Sequence, residues 1–131
     1  MPTLDYLDFD YSEDEDGNAC WDALACVPPQ RWPALIAEVE QLLRWCQRQG
    51  EPASLEDGGL WDVELQAHSE GPGNTPIAVY WQDDQLHGAQ PLPQALQQSS
   101  QPITLALTLS ASASFSDALQ AHWQLRQDDD Y

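Results

Sequence analysis

The alternation of apolar and acidic residues near the start of the chain predicts a half-buried β-strand. Successive side chains of a strand point to opposite faces. The apolar residues Leu7, Phe9 and Tyr11 therefore fall on one face, and Asp8 and Asp10 fall on the other. The acidic stretch 12–18 follows, and it contains Asp-Gly, a pair typical of turns. A second extended run over 19–27 completes a predicted hairpin with a long acidic loop.

Apolar residues at three- and four-residue spacing predict one long amphipathic helix over about 29–49. Its apolar stripe has seven members: Trp32, Leu35, Ile36, Val39, Leu42, Leu43 and Cys46. Pro28 and Pro29 end the preceding strand, and Gly50 ends the helix. Burying the stripe would contribute about 10 kcal/mol before the loss of conformational entropy is subtracted. We therefore expect this helix to pack on a sheet.

Three later segments predict further strands. Over 61–68 apolar and polar residues alternate. The apolar residues are predicted to point inward: Trp61, Val63, Leu65 and Ala67. The polar residues are predicted to point outward: Asp62, Glu64, Gln66 and His68. The run 77–81 follows a loop rich in glycine and proline, and the run 103–109 directs four aliphatic side chains inward. Together with the first hairpin, these segments predict an α+β fold in which an antiparallel sheet of about five strands carries the long helix on one face.

The segment from 114 to 126 fits two structures. Five residues recur at helical spacing, which favours a C-terminal helix: Phe115, Ala118, Leu119, His122 and Trp123. An alternating set favours an extra strand instead: Leu119, Ala121, Trp123 and Leu125. Because no turn signal stands between 112 and 116, we predict the helix. The whole chain, 1–131, is predicted to form a single domain.

The net charge of the chain is −18, from 22 acidic residues against four arginines and no lysine. A surface with this field repels phosphates and anionic lipid headgroups. We therefore expect neither direct binding to nucleic acid nor electrostatic docking to a membrane, and a basic protein is the natural partner. The alternative is that the acidity only keeps the domain soluble.

Cysteine usage and the first residues of the chain predict a cytoplasmic protein with reduced thiols. Cys20, Cys26 and Cys46 are odd in number and lack the spacing of a zinc site. The first five residues form neither a basic nor an apolar segment, as a signal peptide would, and no run is long enough to span a bilayer. Cys46 lies on the apolar stripe of the helix, whereas Cys20 and Cys26 could pair in an oxidising compartment.

No motif in the sequence predicts a catalytic centre, a cofactor or a metal. The acidic loop matches a calcium-binding frame that begins at Ser12 only in part, because Ala23 occupies the twelfth position, where a bidentate Glu is needed. The three histidines lie in three separate segments: His68, His87 and His122. His87 follows Asp84 closely enough to be oriented by a carboxylate. A small enzyme or ligand-binding domain with a pocket near His87, Asp84 and Trp81 is therefore the alternative function.

The clustering of acids and aromatic residues near the N-terminus is the remaining functional signal. The first 22 residues hold eight of the 22 acids. Aromatic anchors among carboxylates are typical of an interface for a basic protein. We predict a non-enzymatic protein-binding module, such as an inhibitor, an immunity-type protein or an adaptor. The candidate partner-binding residues are Tyr6, Asp8, Asp10, Tyr11, Glu13, Asp14, Glu15, Asp16, Trp21 and Asp22. The alternative is that Tyr11 and Trp21 fill the core while the acids remain solvated.

Overall fold

The computed structural model describes residues 3–71, 75–88, 92, 94–98 and 100–127, which form a mixed α+β fold. The strands are β1 (Thr3–Glu13), β2 (Ala19–Val27), β3 (Trp61–Ser69), β4 (Pro76–Ile77), β5 (Tyr80–Gln82), β6 (Gln85–His87), β7 (Ile103–Ala111) and β8 (Gln124–Gln127). The helices are α1 (Trp32–Gln49), α2 (Gln94–Gln97) and α3 (Ala113–His122). A single 3-10 turn, Pro29–Arg31, leads into α1, so the predicted helix over 29–49 is confirmed.

Six of the strands form one sheet in the order β4-β3-β7-β2-β1-β8. The first five are antiparallel to their neighbours, which confirms the predicted antiparallel sheet. β8 adds a sixth strand at the edge, parallel to β1. β7 lies at the centre, between β2 and β3, and pairs with each of them over nine residues. The sheet is therefore held together by its last long strand.

Both longer helices pack on the same face of the sheet. α1 buries the whole predicted stripe, and α3 lies beside it with the Phe115 ring stacked on Trp61 at 6.0 Å and against Trp45 at 5.8 Å. The Trp21 indole N–H donates to Ser116 Oγ at 3.1 Å, which joins β2 to α3. None of the described helices has the length and apolar character needed to cross a bilayer.

The C-terminal segment contains both of the structures that its pattern allows. Helix α3 begins where Ser112 Oγ accepts the N–H of Phe115 at 3.2 Å, a typical N-cap. Trp123 then takes an extended conformation, and β8 follows. The predicted helix is confirmed, and the alternating pattern describes a short strand beyond it.

The predicted strand over 77–81 is divided between two sheets. Only Pro76–Ile77 pairs with β3, at Ala67 and His68. The chain then turns away, and β5 forms a separate two-stranded ladder with β6. Asp83 and Asp84 make the turn between them with φ of 55° and 63°, a left-handed conformation that Asp tolerates better than most residues.

The start of β1 is held by a buried carboxylate from α1. The backbone N–H groups of Asp5, Tyr6 and Leu7 all donate to Glu38, whose side chain is 8 % exposed. The register between β1 and β8 shifts in this same stretch, between Thr3 and Asp8. Glu38 thus supplies acceptors to β1 where the ladder with β8 is irregular.

Candidate functional site

The side of the sheet opposite α1 and α3 is exposed in the described part of the chain. It carries the even-numbered residues of β2, β3 and β7 and those of β1 from Asp8 onward, and we call it the open face. The burial of β2 alternates strictly, with odd-numbered residues inside and even-numbered residues half-buried or exposed. Leu24, in the middle of β2, is 58 % exposed. A large apolar side chain is thus presented to solvent near the centre of a sheet.

Carboxylates form a row across the open face. Strand pairing places Asp10 opposite Asp22, Asp22 opposite Thr108, and Thr108 opposite Glu64. Directly paired residues of antiparallel strands have side chains on the same face, so three acids and one hydroxyl lie in line. Asp8 and Asp62 lie in the neighbouring rows, one on each side.

The Asp22 carboxylate is fixed in place by its neighbours. Thr108 Oγ1 donates to one of its oxygens at 2.7 Å, and the Cys20 thiol lies 3.4 Å from the other. Partial burial, together with this contact to Asp22, raises the pKa of Cys20 above its ordinary value. Cys20 therefore remains a protonated thiol, and its weak donor points at the carboxylate.

A depression of about 490 Å³ opens beside this row. Its lining includes three carboxylates, those of Asp8, Asp10 and Asp22, and three less polar side chains, those of Leu24, Cys26 and Ala106. Asp8 is half-buried, whereas Asp10, Leu24 and Cys26 are exposed. The site combines an apolar centre with negative charge along one side. Such an arrangement suits a partner that has both aliphatic and cationic groups.

Two arginines, Arg44 and Arg48, lie away from this face. Arg44 and Arg48 are exposed on α1, in the opposite layer, and Arg44 lies 3.7 Å from Glu40. On the open face of β2, β3 and β7 the only basic group is His68 of β3, whose Nε2 is 3.0 Å from Glu70. The row from Asp10 to Glu64 therefore holds no basic side chain from β2, β3 or β7, whereas Asp8, outside the row, pairs with Arg126 in the ladder to β8.

The predicted partner-binding residues are divided among three places. Asp8, Asp10 and Asp22 lie on the open face, and the acids 13–16 lie at the end of the β1–β2 hairpin. Tyr11 and Trp21 lie on the opposite face, with ring centroids 4.5 Å apart. Tyr6 is half-buried against the core.

Trp21 has no accessible surface, so it fills the core and cannot contact a partner. The strict alternation over 19–27 already indicated that Trp21 is buried, because it places Trp21 on the same face of the strand as Val27 and on the other face from Asp22. The same alternation identifies Leu24 and Cys26 as outward residues. Leu24 and Cys26 were not among the predicted partner-binding residues.

The acidic loop uses one of its carboxylates to hold its own turn. Asp14 Oδ1 accepts the N–H groups of Asp16 and Asn18, each at 2.9 Å, and Oδ2 accepts the Asn18 side-chain amide at 3.3 Å. Within the described residues, no group of three potential ligands is placed to hold a metal ion. The loop therefore has a structural explanation that needs no cation.

The three cysteines are free thiols at separate positions. Cys20 and Cys26 lie on one strand six residues apart, which separates them by about 20 Å, so the alternative of a disulfide between them is wrong. Cys46 is fully buried on α1, as predicted, and burial raises the pKa of its thiol.

His87 has a partner different from the predicted carboxylate. Its Nε2 lies 2.9 Å from the backbone carbonyl of Gln82, and its ring stacks on Tyr80 at 5.1 Å. A carbonyl oxygen only accepts, so Nε2 carries the proton and donates. Trp81 turns toward α1, where its indole N–H donates to Gln47 at 3.0 Å. These contacts explain both side chains as parts of the β5–β6 hairpin.

Comparison with known proteins found no match to this chain among family models, curated proteins or solved structures.

Proposed function

We propose that this protein is a non-enzymatic binding module, of the inhibitor, immunity or adaptor kind, that engages a basic protein through the open face. The observation that carries the proposal is the row of Asp10, Asp22 and Glu64 on the open face. A complementary basic surface would be steered toward this row, and pairing would relieve the repulsion within it.

The cost of the row to folding supports a binding function. Like charges directly opposite each other in adjacent strands destabilise a sheet, and Asp10 and Asp22 are such a pair. Violations of a local stability rule concentrate at functional sites, where another requirement outweighs folding. A surface needed only for solubility could spread its charges without this penalty.

The same charges argue against other partners. Phosphates and anionic lipids carry the wrong sign for this face, so we propose neither direct nucleic-acid binding nor membrane docking. The three free thiols suit a reducing compartment, and we place the protein in the cytoplasm.

The test compares the native protein with two variants of equal net charge. The face variant combines D10N, D22N and E64Q. The control variant combines E51Q, E56Q and D57N, three exposed acids in the segment between α1 and β3. Each immobilised protein is incubated with native extract at low ionic strength, and retained proteins are eluted with salt and identified. Affinity for each recovered basic protein is then measured by calorimetry.

We expect a basic protein that binds the native and control proteins alike and binds the face variant at least tenfold more weakly, as loss of paired interface charges predicts. Equal loss in both variants would assign binding to net charge and overturn the role of the open face. Recovery of no basic protein would overturn the proposed function itself.

A further inference from the structure

We infer that the element recognised on the open face is a basic amphipathic helix of the partner. It would lie along β2 and β7, with its apolar side chains on Leu24 and its cationic side chains directed to both flanks. The inference rests on the proposed function and adds to it the shape and chemistry of the partner.

The spacing of the strands matches the width of a helix. β1, β2, β7 and β3 are consecutive neighbours, so the β1 and β3 acids are separated by three strand spacings, about 14 Å in all. An α-helix with its side chains is about 10–12 Å across. We call the space between β1 and β3, above β2 and β7, the trough. Asp10 borders it on one side, and Asp62 and Glu64 on the other.

The floor of the trough, formed by β2 and β7, contains apolar residues next to Asp22. Leu24 pairs directly with Ala106, and Cys26 lies two residues along the same strand. Ala106 and Cys26 have short side chains, which leave the depression beside Asp8, Asp10 and Asp22. Leu24 rises from this floor with 58 % of its surface exposed. A helix with an apolar seam would cover Leu24 and place its flanking residues over the acids.

A helix suits this face better than an extended segment does. The backbone N–H and C=O groups of β2 and β7 form hydrogen bonds with the neighbouring strands on both sides. The face of the sheet therefore offers a partner side chains but no free backbone groups. An extended peptide laid on it would leave its own N–H and C=O groups without protein partners, whereas a helix satisfies its own. The other face of the same sheet is already covered by helices α1 and α3.

The probe is a synthetic peptide of about 18 residues with leucines on one face and arginines on both flanks, held helical by a side-chain crosslink. A second peptide has the same composition and crosslink in a scrambled order, which removes the apolar seam and keeps the charge. Affinity is measured by calorimetry at low and moderate ionic strength, and the contact surface is mapped by amide chemical shifts.

Two variants separate the trough from electrostatic attraction. L24E removes the apolar anchor and adds a negative charge, so a purely electrostatic site would bind the basic helix as well or better. L60E makes the same change at another exposed leucine, 42 % accessible and outside the open face. Both variants carry the same net charge, and circular dichroism and urea unfolding check that both remain folded.

We expect the amphipathic peptide to bind the native protein and L60E alike, and L24E at least tenfold more weakly, since a buried charge replaces a central apolar contact. Shifts should centre on Leu24 and Ala106. The bound peptide should also slow alkylation of Cys26 while leaving that of the buried Cys46 unchanged.

Two results would overturn the inference. One is equal or tighter binding to L24E; the other is equal binding of the amphipathic and scrambled peptides. If a natural basic partner still distinguishes the face variant from the control variant, only the helix inference fails. If no basic partner is captured at all, the proposed function fails as well.

Discussion

Asp10 and Asp22 lie directly opposite each other in the ladder between β1 and β2, with both carboxylates on the open face. The two like charges repel each other, and the hydroxyl of Thr108 stabilises the Asp22 carboxylate by donating to it at 2.7 Å. The pair still lacks a cation from the neighbouring strand β7, whose residue in the row is that threonine. The loss of folding stability caused by this like-charge pair can therefore be measured in the protein without a partner.

Replacing Asp10 by Asn should stabilise the protein by about 0.2–1 kcal/mol at low salt, because it removes the like-charge pair and keeps the shape of the side chain. The gain should shrink as salt is added, since screening weakens the repulsion that the substitution removes. Urea unfolding at several ionic strengths measures both effects. E51Q, which removes an exposed charge outside the sheet, is the control. Equal stabilisation by E51Q would show that net charge, rather than the pair, is responsible.

Replacing Glu38 by Gln should destabilise the protein by about 1.5–3 kcal/mol, because an amide has one acceptor oxygen for three backbone donors of β1, one of them fully buried. E40Q is the matched control on the same helix. It removes only an ion pair with the exposed Arg44 and should change stability by less than about 0.5 kcal/mol.

Amide hydrogen exchange locates the effect of E38Q. Protection should fall first at Asp5, Tyr6 and Leu7, whose N–H groups lose the carboxylate. Similar losses of stability in E38Q and E40Q would contradict the role assigned to Glu38.

The three cysteines should react with iodoacetamide in a fixed order. Cys26 is exposed and should react first, Cys20 should follow slowly because burial and Asp22 raise its pKa, and Cys46 should react only on unfolding. D22N should lower the pKa of Cys20 and speed its alkylation while leaving that of Cys26 unchanged. Mass spectrometry of the labelled peptides follows each site. An unchanged rate at Cys20 in D22N would contradict the assigned contact.

Removing the hydroxyl of Thr104 should change how stability depends on pH. This hydroxyl donates to Glu70 and lowers the pKa of that carboxyl below 4.5, with a smaller contribution from His68. A lowered pKa in the folded state stabilises the protein above the unfolded-state pKa, and that stability is lost as pH falls through the folded-state value. T104V should therefore lose less stability than the native protein on acidification.

Nuclear magnetic resonance titration of the Glu70 carboxyl checks the cause directly. Its pKa should rise toward the ordinary value in T104V. T108V is the matched control, because it also removes a hydroxyl that donates to a carboxylate, that of Asp22. An unchanged Glu70 titration in T104V, or an equal change in T108V, would contradict the assignment.

The elements with strong periodicity could be predicted from the sequence. Seven apolar residues at helical spacing identified α1, and unbroken alternation identified β3 and β7. The run 77–81 was harder, because its conformation depends on which strand it meets. Pro76–Ile77 continues the ladder to β3, whereas Tyr80–Gln82 pairs with the residues after the Asp83–Asp84 turn.

The site could be predicted only in part. Alternation shows which acids point outward, but it does not show which strands are neighbours. The row from Asp10 to Glu64 depends on β7 lying between β2 and β3, and no local pattern contains that pairing. The alternating pattern from Leu119 to Leu125 allowed a strand as the alternative to the helix, but it could not identify β1, far away in the sequence, as the parallel partner of β8.

The central position of β7 has a consequence for the synthesis of the protein. On the ribosome, the β1–β2 hairpin emerges early, yet Trp21 meets Leu109 and Ser116 only when nearly the whole chain is available. Until then the apolar side of the hairpin and the stripe of α1 lack their main support. Pairing between such distant segments is slow, so the nascent chain should depend on chaperones, or on its own strong negative charge, to avoid aggregation.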